Sequence, residues 1–144
     1  MSAVVVDASV GLKWFLHEVH SVEARQWRTY GELCVPAFFF DLEIASILWK
    51  KIRRGEINRT EADEILVQLP SLPVTRVTEG PLLSATFELA ATSQRTVYDC
   101  LYLAAAMSVN GFMLTADQRL FNSLQGTKWA SRIEWVANSP PPVT

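Results

Sequence analysis

The sequence predicts an α/β protein in which a central parallel sheet is covered by helices on both faces. Short apolar, β-branched runs alternate with longer segments of helical periodicity, as in successive βαβ units. A length of 144 residues matches one domain, and 49% hydrophobic residues are enough for a packed core. We therefore expect one domain over residues 1–137, followed by a flexible tail at 138–144 that contains three consecutive prolines.

In the first half of the chain, helix caps and apolar faces mark the predicted elements. The β-branched run at residues 4–6 is typical of a strand buried on both faces, and Ser9 is the expected N-cap of the next helix. Thr60, followed by acidic residues, is the expected N-cap of a later helix. Apolar residues between Leu42 and Ile52, Trp49 among them, fall on one helix face. The expected elements are a strand at 4–6, helices at 9–15 and 18–30, a strand at 33–35, and helices at 42–54 and from 60 onward.

The second half of the chain continues the alternation and ends in a strand. Thr96 is the expected N-cap of a helix that is apolar nearly all round at residues 104–106, which indicates a central position. Gly111 ends that helix. The expected elements are a strand at 74–77, helices at 81–92 and 97–109, a strand at 112–115, a helix at 117–124 and a strand at 133–136.

Composition and charge exclude several classes of function. Thirteen Lys and Arg against fifteen Asp and Glu give a net charge of −2, so no global basic field attracts nucleic acid, and a polyanion must be held locally. Cys34 and Cys100 lie within apolar runs, which indicates reduced core thiols. The start of the sequence lacks the basic segment of a signal peptide, and no apolar stretch has the length of a membrane span. We expect a soluble, cytoplasmic protein that does not bind a membrane.

Four acidic residues from distant parts of the chain are expected at the carboxyl edge of the sheet, where ligands bind in such folds. Asp7 ends the first predicted strand, and Asp117 follows the fourth. Glu43 opens the helix after the second strand, and Asp99 lies in the first turn of a later helix. Like charges at one edge raise one another's pKa unless a cation neutralises them. Carboxylate oxygens favour Mg²⁺ or Mn²⁺, and the sequence has no Cys/His cluster that would suit zinc.

Each of these acids, taken alone, also has a purely structural explanation. Asp99 stands three residues after Thr96 and can complete a capping box. Asp117 can complement a helix dipole, and Glu43 can be a solvated carboxylate in a first helical turn. Asp7 directly follows buried apolar residues, so its charge needs a partner. The edge that the four acids share favours a joint site.

Four segments carry a family resemblance: residues 5–9 (VVDAS), Pro36 with 43–48 (EIASIL), 98–106 (YDCLYLAAA) and 114–120 (LTADQRL). In this order and spacing they resemble the PIN-domain family, in particular the VapC-like toxin ribonucleases of toxin–antitoxin pairs. The resemblance spans nearly the whole chain.

The resemblance implies a three-layer α/β/α sandwich that cleaves RNA with the help of a divalent metal. The family's acidic quartet, catalytic and metal-binding, is matched by Asp7, Glu43, Asp99 and Asp117. Ser9 and Thr115 match supporting hydroxyl positions. Because no histidine or lysine adjoins the quartet, water activated by the metal is the expected nucleophile. The resemblance further implies a homodimer and a VapB-like antitoxin partner.

A local basic patch is the expected landing surface for RNA. Lys50 and Arg54 lie seven and eleven residues after Glu43, almost on one line of a helix and opposite its apolar face. The whole patch comprises Lys50, Lys51, Arg53, Arg54 and Arg59. A solvated helix face is the competing explanation, because basic residues also favour helix C-termini. Candidates of lower weight are Lys13, Arg25, Arg28 and Arg119.

Two other functions fit part of the pattern. A PIN domain that works in RNA maturation uses the same acids without an antitoxin. A receiver-like phospho-acceptor domain also carries acids at the carboxyl edge of a parallel sheet, but it needs an acidic pair after the first strand and a lysine after a late strand. Here Asp7 stands alone, and Asp117 follows the late strand.

Overall fold

The computed structural model of the protein describes residues 3–140, in which five parallel strands form one sheet with helices between them. The strands are β1 (Ala3–Val6), β2 (Glu32–Pro36), β3 (Thr75–Val77), β4 (Phe112–Thr115) and β5 (Ile133–Trp135). The helices are α1 (Ala8–Gly11), α2 (Ser21–Gln26), α3 (Phe39–Arg53), α4 (Arg59–Gln68), α5 (Leu83–Ser93), α6 (Val97–Ser108) and α7 (Gln118–Leu124). Single 3₁₀ turns occupy Leu12–Trp14, Trp27–Thr29, Leu69–Ser71, Gly80–Leu82 and Ala130–Arg132.

The strand order β3-β2-β1-β4-β5 determines where the helices lie. The chain moves from β1 outward to β2 and β3, and then returns to the other side of β1 as β4. Right-handed crossovers place α1–α4 on one face of the sheet and α5–α7 on the other. In agreement, α6 packs on α5 and on β1, β2 and β4. The three-layer α/β/α sandwich is therefore confirmed. Successive strands are added on one side of β1 as far as β3 and on its other side from β4 onward, so the order of strand addition reverses between β1 and β4.

The core is centred on β1 and α6. Val4, Val5 and Val6 have no exposed surface, and the Ala104–Ala106 run of α6 is buried against the sheet, as its apolar pattern predicts. Both cysteines are buried and free. Gly111 is required by the close approach of two backbones, because a Cβ at this position would lie 1.9 Å from the carbonyl oxygen of Ala3.

Two of the predicted helix caps are each wrong by two residues. Asp7, not Ser9, is the N-cap of α1: its carboxylate accepts a hydrogen bond from the Ser9 N–H. Asn58, not Thr60, caps α4 and forms a reciprocal capping box with Glu61. The predicted cap Thr96 is confirmed at α6, and Asp117, expected only to complement a helix dipole, is the N-cap of α7. Neighbouring residues with similar capping chemistry explain the errors, since Asn and Asp cap helices as well as Ser and Thr do.

Helices α2 and α3 also differ from the prediction. The α2 helix begins at Ser21 rather than near residue 18, and α3 begins at Phe39, three residues before the predicted start. The apolar face predicted for α3 is only partly buried: Leu42 is 51% exposed and Trp49 is 59% exposed. A strong apolar pattern therefore marks the helix, but part of the pattern faces outward.

The predicted tail lies partly outside the described residues. Asn138 is still attached to the domain, because its N–H donates to Trp135 O and its carbonyl accepts from the Trp27 indole N–H. Residues 141–144 lie beyond the described range, so the domain boundary after residue 137 stays a prediction. In the described part of the chain, no helix is both long and apolar enough to cross a membrane.

Candidate active site at the carboxyl edge of the sheet

Asp7 directly follows β1, beside the point where the strand order reverses, and its carboxylate accepts hydrogen bonds from three donors. One carboxylate oxygen accepts hydrogen bonds from the N–H and the hydroxyl of Ser9, at 2.6 and 2.5 Å. The other oxygen accepts one from the Thr115 hydroxyl at 2.8 Å. Burial raises the pKa of Asp7, the Ser9 and Thr115 hydrogen bonds oppose that rise, and the charge of Asp99 adds to it. The carboxylate is fixed in orientation and is costly to ionise.

The two hydroxyls beside Asp7 also join the exits of β1 and β4. The Ser9 hydroxyl oxygen accepts from the Ala116 N–H at 3.1 Å, and the Thr115 hydroxyl oxygen accepts from the Asp117 N–H at 3.0 Å. One Asp117 carboxylate oxygen caps α7 by accepting from the Leu120 N–H. The structure therefore brings Ser9 and Thr115 into contact with Asp7, and their supporting role stays a prediction.

Glu43 projects from the second turn of α3 and is held by a tyrosine. The Tyr102 hydroxyl donates to Glu43 Oε1 at 2.7 Å. Burial, together with the charges of Asp7 and Asp99, raises the pKa of Glu43 to about 7, although the hydrogen bond from Tyr102 acts in the opposite direction. Burial and the nearby carboxylates raise the pKa of Tyr102 far above its usual range, so the hydroxyl remains a donor.

Tyr102 is the site residue that the sequence prediction lacks. It lies three residues after Asp99 on α6, so both side chains project from the same face of that helix. The sequence does contain one indication of this role: Tyr102 places a hydroxyl group on an otherwise apolar helix, and a buried tyrosine hydroxyl needs a hydrogen-bond partner.

Asp99 lies in the first turn of α6, and its backbone and its carboxylate have different partners. Its N–H donates to the Thr96 hydroxyl oxygen at 3.1 Å, which is one half of a capping box. Burial raises the pKa of its carboxyl group, with a further contribution from the charge of Asp117 and opposition from the Thr96 hydroxyl. The carboxylate therefore interacts with the other acids while Thr96 caps the helix.

We call the group Asp7, Glu43, Asp99 and Asp117 the acidic rim. Its members come from four elements and influence one another's ionisation, as the shared edge predicts. All its oxygens are hard donors that suit Mg²⁺ or Mn²⁺. Among residues 3–140, no three acidic, His or Cys side chains stand close enough to enclose a metal ion. The donor chemistry of the acidic rim fits a divalent cation, because Mg²⁺ is usually bound by one or two carboxylates together with water molecules.

The predicted basic patch is divided by ion pairs. Lys51 lies 3.1 Å from Glu18 and 3.6 Å from Glu56, and Arg59 lies 2.9 Å from Asp63. Lys50, Arg53 and Arg54 are exposed and form no ion pair within the described range. The charge of Lys50 acts on Glu43, so this lysine lies near the acidic rim. Three members of the predicted patch are therefore exposed and unpaired within the described range, and Lys50 among them lies near the rim. The role of the patch in RNA binding stays a prediction.

A family model described as the PIN domain matches residues 4–126, which include all of the acidic rim. The chain belongs to the PIN domain family. Ribonuclease VapC3 of Pyrobaculum aerophilum is 32% identical to this PIN domain over 120 residues, covering 81% of this chain and 90% of that protein. Ribonuclease VapC9 of Mycobacterium tuberculosis is 33% identical over 122 residues, covering 85% of this chain and 91% of that protein.

Solved structures show the same PIN fold. The crystal structure of PAE2754 from Pyrobaculum aerophilum has a TM-score of 0.68 at 22% identity and covers 94% of this chain and 84% of that chain. A toxin–antitoxin complex from Klebsiella pneumoniae contains a chain with a TM-score of 0.63 at 9% identity, covering 94% of this PIN domain and 98% of that chain.

Proposed function

We propose that this PIN domain is an endoribonuclease that needs Mg²⁺ or Mn²⁺ and acts as the toxin of a toxin–antitoxin pair. The observation that carries the proposal is the acidic rim at the carboxyl edge of the sheet, where the pKa values of Asp7, Glu43 and Asp99 are raised. The ribonucleases named among its relatives support RNA as the substrate.

In this proposal the four rim carboxylates hold the cation, and the surrounding hydroxyls orient them. Ser9 and Thr115 fix Asp7, and Tyr102 fixes Glu43. A bound divalent cation lowers the pKa of a water molecule and stabilises negative charge on the phosphate oxygens. The exposed Lys50, near the rim, attracts the RNA backbone, which the four acids alone would repel.

The catalytic part of the proposal is tested by incubation with total cellular RNA in Mg²⁺ or in EDTA. Cleavage is expected in Mg²⁺ only, and Asp99→Asn is expected to reduce the rate at least about a hundredfold, because one carboxylate of the site is lost. Asp63→Asn is the matched control, since Asp63 is exposed and pairs with Arg59 away from the rim. Full cleavage in EDTA would contradict the proposal.

The antitoxin is proposed to be VapB-like and to cover apolar surface while inserting an arginine at the rim. Phe38 is 69% exposed and Trp49 is 59% exposed. Trp49 and Leu66 line a cleft of about 260 Å³ between α3 and α4. An arginine can pair with two carboxylate oxygens at once and so compete with the metal. The proposal also includes a homodimer and a cytoplasmic location. Exposed apolar residues such as Leu83 and Phe87 are available for the dimer contact.

The biological part of the proposal is tested by expression with and without the neighbouring short reading frame. The wild-type chain alone is expected to arrest growth, Asp99→Asn is not, and co-expression of the neighbouring frame is expected to restore growth. Removing the antitoxin arginine is expected to weaken inhibition even where the complex still forms. Harmless expression of a chain that cleaves RNA in vitro would favour RNA maturation without an antitoxin.

A further inference from the structure

The start of α3 is capped by a residue from another part of the chain. The helix begins at Phe39, and its own N-cap residue, Phe38, provides no side-chain acceptor. Instead, one carboxylate oxygen of Glu79 accepts from the Phe38 N–H at 2.7 Å and from the Phe39 N–H at 2.6 Å. These amides are among the helix donors that lack partners within the helix, and a carboxylate also interacts favourably with the positive end of the helix dipole.

Arg76 braces the same turn from β3. Its guanidinium donates to Ala37 O at 3.1 Å, to the Asp41 carboxylate at 3.0 Å and to Leu69 O at 2.9 Å. The Ala37 N–H donates to Val77 O at 2.8 Å, which extends the pairing of β2 with β3 by one bond. The end of β3 and the residues after it therefore hold both sides of the first turn of α3.

Glu43 depends on this turn for its position. It stands four residues after Phe39, so it lies one helical turn above the amides that Glu79 binds. Among residues 3–140, its side chain has a single hydrogen-bond partner, the Tyr102 hydroxyl of the opposite layer, which donates to it. The direction in which α3 leaves β2 consequently sets where the Glu43 carboxylate meets the rest of the acidic rim.

We propose that Glu79 is a positioning residue for the acidic rim, acting through the N-terminus of α3 on Glu43. This inference rests on the proposed function, because it assigns Glu79 to the cation site of that nuclease. Partners that orient a metal ligand typically change metal affinity or activity by about 10–100-fold. Glu79 acts through the helix backbone, so about a tenfold effect is expected, at the lower end of that range.

The test compares two helix caps within the same protein. Glu79→Ala removes the cap of α3, which carries Glu43. Asn58→Ala removes the cap of α4, which carries no residue of the acidic rim. Each change is expected to lower the melting temperature by roughly 3 °C. Calorimetric titration with Mn²⁺ then separates the two roles. Glu79→Ala is expected to weaken Mn²⁺ binding about tenfold, whereas Asn58→Ala leaves it unchanged. Glu79→Gln retains an acceptor oxygen and is expected to restore most of the affinity.

Hydrogen exchange and RNA cleavage complete the comparison. In Glu79→Ala, the amides of residues 38–43 are expected to exchange faster than in Asn58→Ala, and kcat is expected to fall with little change in KM for RNA. Equal Mn²⁺ affinities in the two alanine variants would overturn the inference, even if wild-type protein cleaves RNA. A wild-type chain that binds Mn²⁺ in a Glu79-dependent way without cleaving RNA would instead refute the proposed function. A chain that binds no divalent cation would refute both.

Discussion

Glu18 and Glu43 are both partly buried glutamates, yet their pKa values are displaced in opposite directions. Glu18 forms a cluster with Lys13 at 3.2 Å and with Lys51 at 3.1 Å. Burial opposes its ionisation, but the Lys51 hydrogen bond and the two lysine charges hold the pKa of Glu18 below its usual value. For Glu43, burial and the charges of Asp7 and Asp99 raise the pKa to about 7.

The difference lies in the partners that the fold supplies. The Glu18 cluster has two lysines to balance its charge, whereas the acidic rim is bound by neutral donors from Ser9, Thr115 and Tyr102. Within residues 3–140, no lysine or arginine forms an ion pair with a rim carboxylate. In the Glu18 cluster, lysine side chains neutralise the glutamate. The acidic rim keeps negative charge that a cation from solution can neutralise.

The largest expected difference concerns RNA cleavage. Glu43→Gln removes a carboxylate from the acidic rim and is expected to reduce the cleavage rate at least about a hundredfold in Mg²⁺. Glu18→Gln makes the same chemical change in the balanced cluster and is expected to leave the rate within about twofold, because Glu18 stabilises the fold without reaching the rim. Initial rates on one RNA preparation compare the two variants. Similar losses in both would break the distinction between the regions.

Stability is expected to depend on pH with opposite signs at the two glutamates. Because the pKa of Glu43 is raised, the folded metal-free protein binds more protons than the unfolded chain between pH 4.5 and about 7. The free energy of unfolding of the metal-free protein should therefore fall as the pH rises from 4.5 to about 7. We expect about 1–2 kcal/mol from Glu43, since partial exposure screens the charges.

Glu18 should show the reverse behaviour. Because its pKa is lowered from 4.5, its contribution is complete above that value and is lost as the pH falls through the folded-state pKa. Urea unfolding in EDTA at several pH values measures both effects. Glu43→Gln should flatten the loss between pH 4.5 and 7, and Glu18→Gln should flatten the loss below pH 4.5. A free energy of unfolding of the wild-type protein that rises from pH 4.5 to 7 would contradict the raised pKa of Glu43 and the uncompensated negative charge of the acidic rim.

Tyr102→Phe sharpens the comparison within the acidic rim. Loss of the hydroxyl removes a hydrogen bond that lowers the pKa of Glu43, so Glu43 should ionise at higher pH. Cleavage is expected to decrease about tenfold near pH 6.5 and much less at pH 8.5, since a hydrogen bond to a charged group contributes about 1.5 kcal/mol or more. The pH profile of the rate at a Mg²⁺ concentration below saturation tests this, because a proton and the cation then compete for Glu43. An equal loss at both pH values would indicate a packing defect.

The smallest expected effect concerns RNA binding by the exposed basic side chains. Replacing Lys50 and Arg54 by Ala should weaken binding and reduce its dependence on salt, because fewer counterions are released. Lys51→Ala should affect stability more than salt dependence, since its charge is already paired with Glu18. Binding of one RNA to Asp99→Asn protein, measured over a range of salt concentrations, compares the variants. An unchanged salt slope would assign Lys50 and Arg54 to an ordinary solvated face.

The parts of the fold that depend on neighbouring residues were predictable from the sequence. The alternation of strands and helices, the Thr96 cap and the strand-end positions of Asp7 and Asp117 all follow from local pattern. Local pattern does not distinguish neighbouring residues with similar capping chemistry, which is why it predicts Ser9 as the cap of α1 in place of Asp7.

The parts that depend on distant residues were not predictable from spacing. Tyr102 reaches Glu43 across 59 residues, and Glu79 reaches Phe38 across 41. Lys51 pairs with Glu18 across 33 residues and thereby leaves the predicted basic patch. Such contacts depend on how the helices pack on the sheet, and neither periodicity nor capping rules contain that information.

The melting temperature at pH 7.5 in Mg²⁺ and in EDTA tests most directly whether the acidic rim binds a divalent cation. At about a hundred times the dissociation constant, Mg²⁺ should raise the melting temperature of the wild-type protein by roughly 5–10 °C. Glu18→Gln should retain this rise, and Asp99→Asn should lose most of it while being at least as stable as wild type in EDTA. Equal wild-type melting temperatures in Mg²⁺ and EDTA would contradict a cation site at the rim.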